Sequence, residues 1–176
     1  KTGEEAHKRS YSWRSTAGGV VGGTQALLAD GQIYSMGAHH ILALTQDEGD
    51  IGFAWITGQQ MAVQGEFAYL ATGSSILKVN RGEHAVGSQK AHNNDMTING
   101  LLRKLRSLKG KKAEEARAEI KTLKEENKAY AKAGVIWEIA APARDSLIVA
   151  GDKVIAGGVG QVLILDEATG KLRETL

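Results

Sequence analysis

The chain has 176 residues, of which 42% are hydrophobic and 24% charged, a composition that suits one folded domain or part of a larger one and excludes a disordered chain. Lys and Arg number 22 against 20 Asp and Glu, so the net charge of +2 argues against wholesale coating of a nucleic acid. The lack of Cys excludes a disulfide scaffold, a thiol nucleophile and thiolate zinc sites, and no apolar run approaches the roughly 18 residues of a membrane-spanning helix.

With 22 Gly and a single Pro, the chain should consist of short strands joined by tight turns. It starts at Lys1 rather than Met, with no signal-type apolar segment, and is read as a piece of something longer. Residues 1–17 contain Lys8, Arg9, Tyr11, Trp13 and Arg14, a basic and aromatic mixture expected as the last strand of a preceding unit. Gly18-Gly19-Val20-Val21-Gly22-Gly23 lacks the Gly-Lys-Ser/Thr ending and the following helix of a phosphate loop.

Residues 26–29, 32–35, 41–44 and 52–55 then read as four strands of one antiparallel sheet. His39 and His40 are adjacent, so in a strand they would face opposite ways and could not share a metal. Asp47, Glu48 and Asp50 crowd one turn and are read as a hairpin loop.

A second copy follows at an offset of 35 residues: Tyr34 meets Tyr69, Ile41-Leu42 meets Ile76-Leu77, and Leu44 meets Val79. Its strands fall at 61–63, 67–70 and 76–79. Trp55 predicts an aromatic near position 90, where Lys90 stands; Gly134-Val135-Ile136-Trp137 supplies it later. An insertion of about 47 residues therefore separates the third strand of this unit from its fourth.

The insertion, placed at 98–133, reads as two helices. Ile98, Leu101, Leu102, Leu105 and Leu108 recur at helical spacing, as do Ala113, Ala116, Ile120, Leu123 and Tyr130, with Asn127 as a polar interruption. Gly110 breaks the run and Gly134 ends it, which predicts an antiparallel helical hairpin. His84 and His92, flanking Asn93, Asn94 and Asp95, are assigned to a polar loop before it, within the two-unit region 18–97. The hairpin is basic: residues 101–132 hold 11 Lys and Arg against 5 Glu. Arg103, Lys104, Arg106, Lys109, Lys111 and Lys112, with no acid among them, are the candidate partner-contact residues. Glu114 with Arg117 and Glu125 with Lys128 are expected as intrahelical pairs.

The third copy, in region 134–176, lies at an offset of 121 from the first. Ala29-Asp30-Gly31-Gln32-Ile33-Tyr34 aligns with Ala150-Gly151-Asp152-Lys153-Val154-Ile155, and Ile41-Leu42-Ala43-Leu44 with Val162-Leu163-Ile164-Leu165. Gly157-Gly158-Val159-Gly160 lies between strands and is another turn. Asp166-Glu167-Ala168-Thr169-Gly170-Lys171 turns the chain into a fourth strand. The expected fold is mainly β: about three four-stranded antiparallel blades of a partial β-propeller, carrying an inserted helical hairpin. Three blades cannot close a ring, since propellers use about four to eight.

Residues 146–158, continuing through Leu165-Asp166-Glu167-Ala168-Thr169-Gly170-Lys171, resemble the repeat of the pyrroloquinoline-quinone-type propellers, which ends in Leu-Asp-x-x-x-Gly-Lys-x-x-Trp. Here Glu174 stands in the final Trp position; Thr45 and Asn80 replace the Asp in the first two copies, while Trp55 and Trp137 are retained. The resemblance spans about 22–86 and 134–176 and extends to bacterial propellers with a helical insertion. It implies an extracytoplasmic location, and either a non-catalytic interaction or scaffolding role or a quinone-dependent dehydrogenase.

The dehydrogenase would need pyrroloquinoline quinone, calcium held by Glu and Asn oxygens, a catalytic Asp and an Arg near the quinone; the vicinal disulfide of many members is ruled out by the lack of Cys. No catalytic, cofactor or metal residue is assigned in this chain. Trp55 and Trp137 are expected to pack between blades. The expected partners are the remaining blades, from the same or another chain, and a protein bound by the hairpin. An anionic polymer or membrane surface is the weaker alternative for the basic helix.

Overall fold

Alternation of apolar and polar residues in runs of four to seven gives twelve strands among the residues described by this computed structural model, which are 25–36, 40–45, 51–142, 145–158 and 160–176. They form three four-stranded antiparallel sheets, each a simple meander. The first contains β1 (Gln25–Ala29), β2 (Gln32–Met36), β3 (His40–Thr45) and β4 (Ile51–Thr57). The second contains β5 (Gln60–Gln64), β6 (Phe67–Ala71), β7 (Ser75–Asn80) and β8 (Val135–Ala140). The third contains β9 (Ser146–Ala150), β10 (Lys153–Gly158), β11 (Gln161–Asp166) and β12 (Leu172–Thr175). Two helices, α1 (Arg81–Leu105) and α2 (Lys111–Tyr130), interrupt the second sheet between β7 and β8, where the broken repeat places them. Residues 1–24, His39, Asp47, Glu48, Asp50 and the side chains of His40 and Trp55 lie outside the described residues, so the readings made on them do too.

Strands β6 and β7 of the second sheet are buried on both faces. On one face Met61, Val63, Ala68, Leu70, Leu77 and Val79 meet Leu27, Ala29, Tyr34, Met36, Ile41 and Ala43 of the first sheet. On the other, Ala62, Tyr69, Ala71, Ile76, Trp137 and Ile139 meet Leu147, Val149, Val154, Ala156, Leu163 and Leu165 of the third. The residues with which the third sheet receives the second occupy the repeat positions with which the second receives the first. The sheets thus stack in one sense, with β1 beside β5 and β5 beside β9. Tyr34, Ile41, Tyr69 and Ile76 are at most 1% exposed. Truncating such a side chain to Ala costs about 2–5 kcal/mol.

A polar contact accompanies each apolar interface. Arg81, just beyond the third strand of the second sheet, pairs with Asp30 and hydrogen-bonds Tyr34 of the first. Glu167, at the equivalent place in the third sheet, accepts hydrogen bonds from Tyr69 and Lys78 of the second. Lys78 is only 6% exposed, and its ammonium also lies 4.3 Å above the Phe67 ring. The bond from Lys78, and then that from Tyr69, lowers the Glu167 pKa. Burial, followed by the carboxylate of Glu167, raises that of Tyr69.

The turn that carries Glu167 also seats Trp137, which packs between the second and third sheets as expected. Its Nε1 donates to the Glu167 carbonyl at 3.0 Å, and its ring lies close against Gly170. A Cβ on Gly170 would stand 2.7 Å from Trp137 Cδ2, and the backbone there has φ +70°. In the same turn Asp166 Oδ1 accepts from Thr169 N at 2.9 Å. The guanidinium of Arg173, then the Thr169 hydroxyl and this amide, hold the Asp166 carboxyl down at about 2.

Asn80 plays the matching part in the second sheet. Its side chain accepts from Glu83 N at 3.1 Å, but here the capped turn continues into α1. The helix therefore begins at Arg81 and not at Ile98, and the loop expected around His84 and His92 is helical. Asn80 with Glu83 three residues on is a capping signature that the glycines at 82 and 87 obscure. The insertion closes where it opens: Asn80 N donates to Gly134 O at 2.7 Å, and Gly134 has φ +67°.

Gly170→Ala is expected to lower stability in urea unfolding by about 2–3 kcal/mol, combining backbone strain with the ring clash. Gly151→Ala, which has φ +60° but open space around it, should cost about 1 kcal/mol. Equal losses at the two positions would contradict the seating of Trp137.

Candidate functional site

The two helices pack as the antiparallel pair that their stripes predict: Ile98 of α1 and Ala113, Ala116 and Ile120 of α2 are all at most 7% exposed. Asn127, the polar interruption, donates to Asp95 Oδ1 at 2.8 Å, and Asn94 donates to Glu126 at 3.0 Å. Glu125 and Lys128 form their expected pair at 2.8 Å, whereas Glu114 and Arg117 form none among the described residues. Leu102, expected on the buried stripe, is 46% exposed. At its root α1 lies against β4, so the insertion in the second sheet also braces the edge of the first.

All six candidate contact residues are exposed and gather at the far end of this hairpin. Arg103 and Lys104 close α1, Arg106 and Lys109 lie in the connection, and Lys111 and Lys112 open α2. Lys111 meets Glu115 at 3.9 Å with both side chains largely in solvent, and the other five form no ion pair among the described residues. Lys111 and Lys112 stand at the N-terminus of α2, where the helix dipole is unfavourable to cations. The tip lies roughly 30 Å along α1 from its root, at 1.5 Å per residue. It is a compact basic surface held away from the sheets.

At the root is a cleft of about 600 Å³, within the range of small-molecule sites. Its floor is Leu70 and Leu77; His84, Ser88, His92 and Asp95 form one stripe of α1 along its wall, and Lys132 and Glu138 stand opposite. The spacing of these α1 residues holds the signal, but it becomes legible only once residues 81–97 are read as helix. His84 is 7% exposed, and its Nδ1 bonds the Ala133 carbonyl at 2.9 Å, which sets the proton on Nδ1. Burial lowers its pKa despite that bond, so the ring is neutral at pH 7.

Among the described residues no group of three or more His, Cys, Asp or Glu side chains converges as metal ligands would. No helix among the described residues is long and apolar enough to cross a membrane. No protein-family model and no curated protein matches the chain.

The lowered pKa of His84 has a pH consequence. Because the unfolded chain binds this proton more readily, the stabilisation from neutral His84 is complete above about pH 6.5 and is lost as pH falls towards the folded pKa. Urea unfolding between pH 7.5 and 5 should show a decline in wild type that is smaller in His84→Gln; identical slopes would contradict the assignment.

Proposed function

We propose that the chain is a non-catalytic segment of a β-propeller of the pyrroloquinoline-quinone-type repeat, acting in protein interaction, with the helical hairpin as its contact arm. One observation carries this reading: two successive sheet interfaces are made from equivalent faces, with the first strands side by side. Repetition of one interface in one sense is how blades are arranged around an axis. The arm fits an acidic protein surface, because its charge is concentrated at an exposed tip while the chain as a whole is nearly neutral. The quinone-dependent dehydrogenase, with its quinone and calcium, gains no support from the described residues.

Binding to polyglutamate, used as an acidic probe, tests the arm. Reversing Lys104, Arg106, Lys109 and Lys111 to Glu should weaken binding at least about tenfold and flatten its dependence on salt. The same number of reversals along and just beyond α2, at Lys121, Lys124, Lys128 and Lys132, should weaken it less. Equal effects from the two sets would remove the tip as the contact surface.

A further inference from the structure

The stack of sheets ends on a face that the rest of the molecule uses for docking. The first sheet presents Leu27, Tyr34, Ile41 and Ala43 to the second, and the second presents Ala62, Tyr69, Ile76 and Lys78 to the third. At the same repeat positions the third sheet carries Ile148, Ile155, Val162 and Ile164. Strand register sets Ile148, Ile155 and Ile164 side by side across it. No sheet among the described residues covers them, and Ile148 is 56% exposed.

The opposite end of the stack offers the matching half. The second sheet receives the first through Met61, Val63 and Ala68, and the third receives the second through Leu147, Val149 and Val154. The first sheet has Ala26, Leu28 and Ile33 at these positions, with Leu28 61% exposed. The neighbouring position, Leu42, is already buried. One chain therefore carries both halves of an interface that it makes twice internally, and neither apolar cluster joins the first sheet to the third.

We propose that a second copy of this chain completes the interface head to tail, the third sheet of one protomer receiving the first sheet of its partner. The contact is apolar. The hydroxyl that Tyr34 and Tyr69 contribute to the internal interfaces is replaced by Ile155, and the ammonium of Lys78 by Ile164. Its strength is therefore insensitive to screening by salt, unlike binding by the basic tip. The inference rests on the propeller reading for closure: two copies bring six sheets, within the four to eight that close a ring.

Sedimentation velocity of the whole chain across protein and salt concentrations tests it. The expected species is a closed dimer of two 18.7 kDa chains that persists at high salt. Ile155→Lys and Leu28→Lys should each weaken association at least about 100-fold, with circular dichroism and urea unfolding confirming that each variant is folded. Mixing the two variants should restore a weaker 1:1 dimer, because one unaltered third-to-first contact remains. A wild-type monomer at all concentrations would overturn the docking proposal and leave the contact-arm reading standing. Variants that fail to pair on mixing would also overturn it, because head-to-tail docking leaves them one unaltered contact. Open chains of increasing length would support head-to-tail docking but contradict closure into a propeller.

Discussion

In the second sheet β6 and β7 have no solvent face, and this constraint organises the rest of the chain. Because side chains alternate along a strand, β6 must satisfy two neighbours at once: Ala68 and Leu70 face the first sheet while Phe67, Tyr69 and Ala71 face the third. A shift of one residue in its register would exchange these sets and spoil both interfaces together. The outer sheets each have one such neighbour among the described sheets, so they depend on the middle one more than it depends on either.

One buried and one half-buried cation near these interfaces follow from the same packing. Lys78 occupies a position that is Ala43 in the first copy and Ile164 in the third, and it is tolerated because Glu167 and the Phe67 ring meet its ammonium. Arg81 is met by Asp30 and Tyr34. Removing Glu167 would leave the Lys78 ammonium in apolar surroundings, which costs more than the pair contributes. These contacts favour one way of stacking the sheets over sliding alternatives, while burial of apolar surface supplies most of the attraction.

The strands and the break in the second unit were legible because the repeat imposes them several times. Tyr34, Tyr69 and Ile155 align without gaps, and the missing counterpart of Trp55 reappears at Trp137. The start of the insertion was not legible by apolar periodicity, because the first turns of α1 bury His84, Ala85 and Gly87 in place of large aliphatic side chains. Gly87 is required there by proximity: a Cβ would lie 2.5 Å from that of Ala133 at the end of α2. Of the site, the basic tip could be read from the run of charges, since exposed residues need no tertiary partner. The root cleft could not, because it joins residues from two sheets and both helices. Nor could the pairing of Lys78 with Glu167, which lie 89 positions apart.

Amide hydrogen exchange tests most directly whether the second sheet is enclosed from both sides. The amides of β6 and β7 that are hydrogen-bonded within the sheet should be the slowest in the chain, exchanging only through global unfolding. Exchange there as fast as in β12, whose residues are all exposed, would contradict the account.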